Sequence, residues 1–253
     1  MKSKVMHSVF IFILIVLVLI VSCSSQKKKM ARSPAHYCNL GIMCFNQGRI
    51  QEAVAQMNKA IELDPKDPVF FQWLGYIHFS AGKYNDSEQA YMQALKLNPY
   101  LTEVHNYLGM LFDQMGRGDE ALKHYEIALA DRFYSTPEKV YYNMSHLYEK
   151  KGDLQGAVAQ LRLAVEANPK FYSGHYLLAK LLEKLGNYKE AIFEYKVAEA
   201  SYKQDPDYQF SFAMACLKFG DTENAKQHFK KVIDLAPGTP DSIRAREIMD
   251  TLK

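Results

Sequence analysis

Two short stretches decide the architecture: Ala60-Ile61-Glu62-Leu63-Asp64-Pro65 and Ala94-Leu95-Lys96-Leu97-Asn98-Pro99 stand 34 residues apart. The related Ala164-Val165-Glu166-Ala167-Asn168-Pro169 and Val232-Ile233-Asp234-Leu235-Ala236-Pro237 stand 68 apart, two such periods. A fixed period of this length marks a stacked array, in which no unit buries its apolar face alone and each covers its neighbour. Working outward, the period divides the chain into six frames: 34–67, 68–101, 102–137, 138–171, 172–205 and 206–239.

Every frame carries the same punctuation. Position 8 is Gly41, Gly75, Gly109, Ser145, Ala179 and Ala213, and position 20 is Ala53, Ser87, Ala121, Ala157, Ala191 and Ala225. Two antiparallel helices approach closely only where neither presents a large side chain, so these positions mark the crossing. Position 24 is large in every frame (Met57, Tyr91, Tyr125, Leu161, Tyr195, Phe229) and fills the next layer. Gly48, Gly82, Gly116, Gly152, Gly186 and Gly220 share one phase, where the chain leaves a first helix and a left-handed backbone is convenient. In these positions the sequence resembles the tetratricopeptide repeat. The resemblance implies a helix A and a helix B per frame, and an all-α, right-handed superhelical solenoid of six repeats.

After the sixth frame, Thr239-Pro240-Asp241 reads as a helix start with Thr as N-cap and Pro at the first helical position. Ala245, Ile248, Met249 and Leu252 then form one apolar stripe, so residues 240–253 are expected to cap the open end of the array. The third frame is irregular. Asp131-Arg132-Phe133-Tyr134-Ser135-Thr136-Pro137 lengthens its exit by two residues, which is either a functional loop or a tolerated surface insertion.

The amino terminus reads as an address. Lys2 and Lys4 precede thirteen unbroken apolar residues, Val9 to Val21. A helix of that length covers about 20 Å against a hydrocarbon core of about 30 Å, the size of a signal-peptide core. Ile20-Val21-Ser22-Cys23 resembles the bacterial lipobox. That resemblance implies cleavage after residue 22 and acylation of Cys23, with Ser24 favouring the outer membrane. Two or three acyl chains at about 0.8 kcal/mol per buried methylene anchor stably. Residues 23–33, with Lys27, Lys28 and Lys29, form a short tether. The alternative is an uncleaved apolar anchor in which Cys23 is incidental.

Charge narrows the partners. The chain has 31 basic and 28 acidic residues, but six of the cations (Lys2, Lys4, Lys27, Lys28, Lys29, Arg32) precede residue 34, leaving 25 against 28 in the repeats. A mildly acidic body has no long-range attraction for a phosphate backbone, so no nucleic-acid role is expected. Chemistry is equally sparse. Cys38, Cys44 and Cys216 have neither disulfide nor metal-ligand spacing, and no glycine-rich phosphate loop follows a strand. His105 and His175 at position 4 and His78 at position 11 read as core histidines. His146 with Glu149 shares a helix face but has no nucleophile predictably beside it. The expectation is a non-enzyme with no cofactor, metal or small-molecule substrate.

Surface recognition remains. In tetratricopeptide arrays, positions 2, 5, 9 and 12 of helix A line the concave groove. Here they supply Cys38, Ile42 and Phe45, then Val69, Gln72, Tyr76 and Phe79, then Asn106, Met110 and Asp113, so that the first two frames offer an apolar, aromatic patch that the fold itself does not require. Such a patch suits an amphipathic helix or a hydrophobic peptide end, unless the amino-terminal linker folds back over it. Cys38 with Ile42 and Asn106 with Met110 do not match the Lys and Asn clamp by which co-chaperone arrays hold a carboxylate terminus.

A lipobox, a tether and six repeats resemble the type IV pilus pilotin family, the pilus biogenesis/stability lipoproteins. The closest likeness lies in Asn106-Tyr107-Leu108-Gly109-Met110-Leu111-Phe112-Asp113-Gln114 and in the long junction Phe133 to Glu138. The resemblance implies a lipid-anchored assembly factor on the outer membrane, facing the periplasm, whose protein partner is a secretin subunit. The lysine run after the anchor matches no feature of that family. A lipid-anchored periplasmic scaffold for cell-wall complexes is the other binding reading.

Overall fold

The computed structural model describes residues 33–252; the expected leader, Cys23 and most of the tether lie outside the described residues. The described residues form helices and turns without a strand. They divide into two compact units, one ending at Gly116 and one beginning at Arg117.

The first unit holds α1 (Pro34–Asn46), α2 (Ile50–Leu63), α3 (Pro68–Ser80), α4 (Tyr84–Leu97) and α5 (Thr102–Gln114). Consecutive helices α1 and α2, and α3 and α4, pack as pairs across a tight turn, and each second helix also rests on the first helix of the next repeat. The second unit holds α6 (Gly118–Ala130), α7 (Pro137–Lys150), α8 (Leu154–Ala167), α9 (Tyr172–Lys184), α10 (Tyr188–Tyr202), α11 (Pro206–Phe219), α12 (Thr222–Leu235) and α13 (Pro240–Thr251). Its pairs are α7 with α8, α9 with α10 and α11 with α12, while α13 lies against α12 and α11.

Local chemistry explains the boundaries. Pro opens α1, α3, α7, α11 and α13, where its missing N–H would have no partner anyway. Side chains of Ser33, Asp67, Asp205 and Thr239 accept from backbone N–H groups at four of those starts. The turn glycine adopts a positive φ, between 71° and 92°, in all six frames. Thr239 caps α13 as expected, and Ala245, Ile248 and Met249 pack on the core of the second unit.

The crossing positions are sealed. Ala53, Ser87, Ala121, Ala157, Ala191 and Ala225 are all fully buried, as are the large residues Met57, Tyr91, Leu161, Tyr195 and Phe229. Ser87, the exception among alanines, donates its hydroxyl to the Gly75 carbonyl oxygen at 2.8 Å, so its polarity is satisfied inside the pair. The approach is tight here: a Cβ on Gly75 would stand 2.5 Å from the Tyr91 ring. At Gly41 the equivalent Cβ would meet the end of the flexible Met57 side chain at 3.1 Å and the Ala53 carbonyl oxygen at 3.2 Å.

Buried polar groups cross-link helices in the second unit. His175 places Nδ1 2.5 Å from Glu194 Oε2 and Nε2 3.2 Å from the Pro169 carbonyl oxygen, clamped by an acceptor on either side. One repeat later, at the same two positions, His228 Nδ1 donates to Gln209 Oε1 at 2.6 Å and Gln209 Nε2 donates to the Lys203 carbonyl oxygen at 2.9 Å. Burial, reinforced by Lys231, lowers the His228 pKa to about 4.

Two stability measurements follow from this packing. Gly75→Ala should cost about 1–3 kcal/mol in denaturant unfolding, because the buried Tyr91 ring cannot retreat, and Gly41→Ala should cost less. For His228, the unfolded ring titrates near 6.5 while the folded ring stays neutral down to about 4. Between those values the unfolded chain binds the extra proton, so stability falls as pH falls, by up to about 3 kcal/mol. His228→Asn keeps a donor toward Gln209 without a titrating ring. Its stability should therefore fall less than the wild type's between pH 6.5 and pH 4 in urea titrations.

Candidate functional site

The first unit gathers aromatic side chains that its core leaves half-exposed. Phe45 at the end of α1, Trp73 and Tyr76 on α3, and Tyr107 on α5 surround a cavity of about 240 Å³, with Asn46 and Gln72 completing its lining. Tyr76 is the hub. Its ring meets Phe45 at 5.4 Å and 70°, Trp73 at 5.9 Å and 89°, and Tyr107 at 5.5 Å and 44°. Edge-to-face pairs of this kind hold one another in place beyond simple area burial. Tyr107 in turn stacks on the buried Tyr91, 5.7 Å away at 22°, which ties the cavity wall to the sealed crossing of the second repeat.

The nine residues expected in the groove divide into several groups. Phe45, Gln72 and Tyr76 line the cavity together. Ile42 packs half-buried on the first core cluster, and Met110 is half-buried on α5. Val69 is 41% exposed. Phe79 points elsewhere, its ring 6.0 Å from Tyr84 at the start of α4. Cys38 and Asn106 are buried, at 6% and 3% exposure. A partner on the surface therefore cannot reach them without rearrangement, which corrects the expectation that they face it. Cys23 lies outside the described residues.

Trp73, Tyr107 and Asn46 are the cavity residues that groove positions alone do not find. A signal for two of them was present: Trp73 and Tyr107 stand 34 residues apart, aromatic at one phase in successive frames.

The second unit treats the same helix positions differently. Glu149 accepts from Lys184 Nζ at 2.5 Å, and one period on Glu183 lies 3.5 Å from Lys218 Nζ. Glu149 is thus held by a lysine of the next repeat, while His146 stacks edge-on against Tyr142 at 4.7 Å. Lys180 lies over the Tyr176 ring, 5.6 Å from its centre. The free cysteines Cys38, Cys44 and Cys216 are all buried, and burial raises the Cys216 thiol to about 11, far from thiolate reactivity at neutral pH. Among the described residues no three His, Cys, Asp or Glu side chains gather as a metal set.

Comparison with protein families fits this geometry. Tetratricopeptide-repeat models match residues 148–210, 41–82, 70–100 and 206–239. The chain is a tetratricopeptide-repeat protein. Such repeats are scaffolds for protein interaction. Comparison with curated sequences gave no significant match. Among solved structures, the chain is similar to PilW, described as a widely conserved type IV pilus biogenesis factor, with 20% identity and a TM-score of 0.72 over 84% of this chain and 98% of that one. It is also similar to Pseudomonas aeruginosa PilF, with 20% identity and a TM-score of 0.73 over 85% and 97%. YrrB, described as a tetratricopeptide protein with an unusual peptide-binding site, gives 19% identity and a TM-score of 0.59 over 76% and 97%. At these identities the likeness is one of fold.

Removing the hub should loosen the cavity without unfolding the array. Tyr76→Ala should shift the emission of Trp73, the chain's single tryptophan, to longer wavelength, with far-UV helicity within about 10% of wild type. Tyr91→Ala, a large-to-small change at a fully buried site, should lower stability by about 3–5 kcal/mol in the same assay.

Proposed function

We propose that the protein is an outer-membrane-anchored assembly factor of a type IV pilus, a pilotin that promotes localisation and multimerisation of the pilus secretin. The observation that carries this reading is the groove of the first unit, where Phe45 and Tyr76 converge on a cavity that the core does not need. Its likeness to PilW and PilF, covered at 98% and 97% of their lengths, supports the choice of machine. The anchor in this reading is acylated Cys23, at the end of the lipobox-like Ile20-Val21-Ser22-Cys23.

In the proposed mechanism, acyl chains hold the array at the membrane and the short tether keeps it close. A secretin subunit then meets the groove at raised effective concentration rather than by free diffusion. Apolar secretin segments are shielded against the aromatic patch until the ring closes around them. The protein acts as a binding surface and carries out no bond chemistry. The second reading, a periplasmic scaffold for cell-wall complexes, draws on the inter-repeat ion pairs and exposed polar face of α7 and α9.

The test uses cells lacking the protein, complemented with wild type, Cys23→Ala, or Phe45→Ala combined with Tyr76→Ala. Heat-resistant secretin multimers should fall at least about tenfold in the null and in the double variant, the loss of two anchors at roughly 1 kcal/mol or more each. The double variant should still fractionate with the outer membrane, and Cys23→Ala should not. Unchanged multimers in the null strain discard the pilotin reading in favour of the scaffold.

A further inference from the structure

The lining of the first-unit cavity is unusual for a site that takes only an aliphatic side chain. Of its six residues four are aromatic, Phe45, Trp73, Tyr76 and Tyr107, two are the amides Asn46 and Gln72, and none is aliphatic or charged. Rings set at 70° and 89° to the hub present faces as well as edges around one space. Ring faces attract cations, and amide oxygens at the rim accept from N–H donors that an alkyl group lacks.

Charge points the same way. Residues 33–116 carry five basic side chains (Arg49, Lys59, Lys66, Lys83, Lys96) and eight acidic ones (Glu52, Glu62, Asp64, Asp67, Asp86, Glu88, Glu103, Asp113). None of the basic residues lies at a groove position, whereas Glu103 and Asp113 occupy groove positions on α5, on the helix that supplies Tyr107. Glu103 lies four residues before Tyr107, one turn along the same face. A unit with a net charge of −3 and carboxylates along its groove draws a cation toward an uncharged aromatic space.

We propose that this cavity is a cation-π cage that receives one basic side chain, arginine before lysine, of the partner's docking segment. A guanidinium stacks on the rings while donating to Asn46 and Gln72, which a compact ammonium does less well. The proposal rests on the partner-binding reading of the groove and names the chemistry of its anchor.

Trp73, the chain's single tryptophan, lines the cavity and reports its occupation directly. The full chain in detergent is titrated with N-acetylarginine methylamide, with its neutral isostere N-acetylcitrulline methylamide, and with N-acetylnorleucine methylamide, at constant ionic strength. The arginine probe should change Trp73 emission saturably in the millimolar range, about tenfold tighter than either neutral probe. Phe45→Leu and Tyr76→Leu, which keep apolar bulk but remove a ring, should each weaken it about threefold or more. Should Tyr76→Leu lose helicity, Phe45→Leu and the isostere comparison decide alone. Equal response to citrulline or norleucine overturns the cage. A chain with Lys27, Lys28 and Lys29 changed to Gln that binds the arginine probe more tightly than wild type also overturns it, because the tether is then the occupant. Loss of the cation preference while multimers still depend on Phe45 and Tyr76 removes only the cage. Preserved preference with unchanged multimers removes only the pilotin reading.

Discussion

Everything in this molecule depends on how closely the two helices of a pair approach. In the second repeat the distance is set by Gly75 lying under the Tyr91 ring and by the Ser87 hydroxyl bonded to the Gly75 carbonyl oxygen. Small residues at both crossing positions let the backbones come together, and the close approach then encloses position 24 completely. Burial of such a side chain contributes about 1.5–3 kcal/mol, and the repeat multiplies it along the array. Short turns with a left-handed glycine keep the pair in register, so the crossing and the turn act together.

That economy leaves the exposed faces of the first helices free to differ, and the two units use the freedom in opposite ways. In the second unit, position 12 carries Glu149 and Glu183, each engaged by a lysine from the next repeat, Lys184 and Lys218. Side-chain exposure of 53% and 45% at those lysines keeps the energetic yield of each pair small. Their effect is to satisfy the face internally. In the first unit, position 12 is Phe45, Phe79 and Asp113; the two phenylalanines offer no such pairing, and Phe45 leaves apolar surface lining a cavity. Unsatisfied apolar surface of this kind is where a repeat array binds.

How much of this was legible depends on whether a property follows the period. The crossing, the turn glycine, the filled layer and the Thr239 cap all recur at fixed spacing or follow local rules, and the structure places them as expected. Groove membership follows the period less faithfully. Position 5 is buried at Cys38 and Asn106 yet only half-buried at Gln72. Trp73 and Tyr107 reach the cavity from position 6 because large aromatic rings span more than their own place on the helix. Polar pairing was hidden for a similar reason. His175 reads as a core histidine, but its acceptor Glu194 sits on the opposite helix, and a glutamate is a residue type ordinarily left in water, so its identity gives no sign of burial.

The stacking of Tyr107 on Tyr91 joins the two themes. Tyr91 is fully enclosed by the crossing of the second repeat, and its flat contact with Tyr107 ties the cavity wall to that enclosed ring. Tyr107 then orients Tyr76, and Tyr76 orients Phe45 and Trp73. A binding surface built this way loses little side-chain freedom when it is occupied, which is where rigid aromatic anchors gain over flexible ones. The proposed recognition surface is therefore an extension of the packing that forms the repeat.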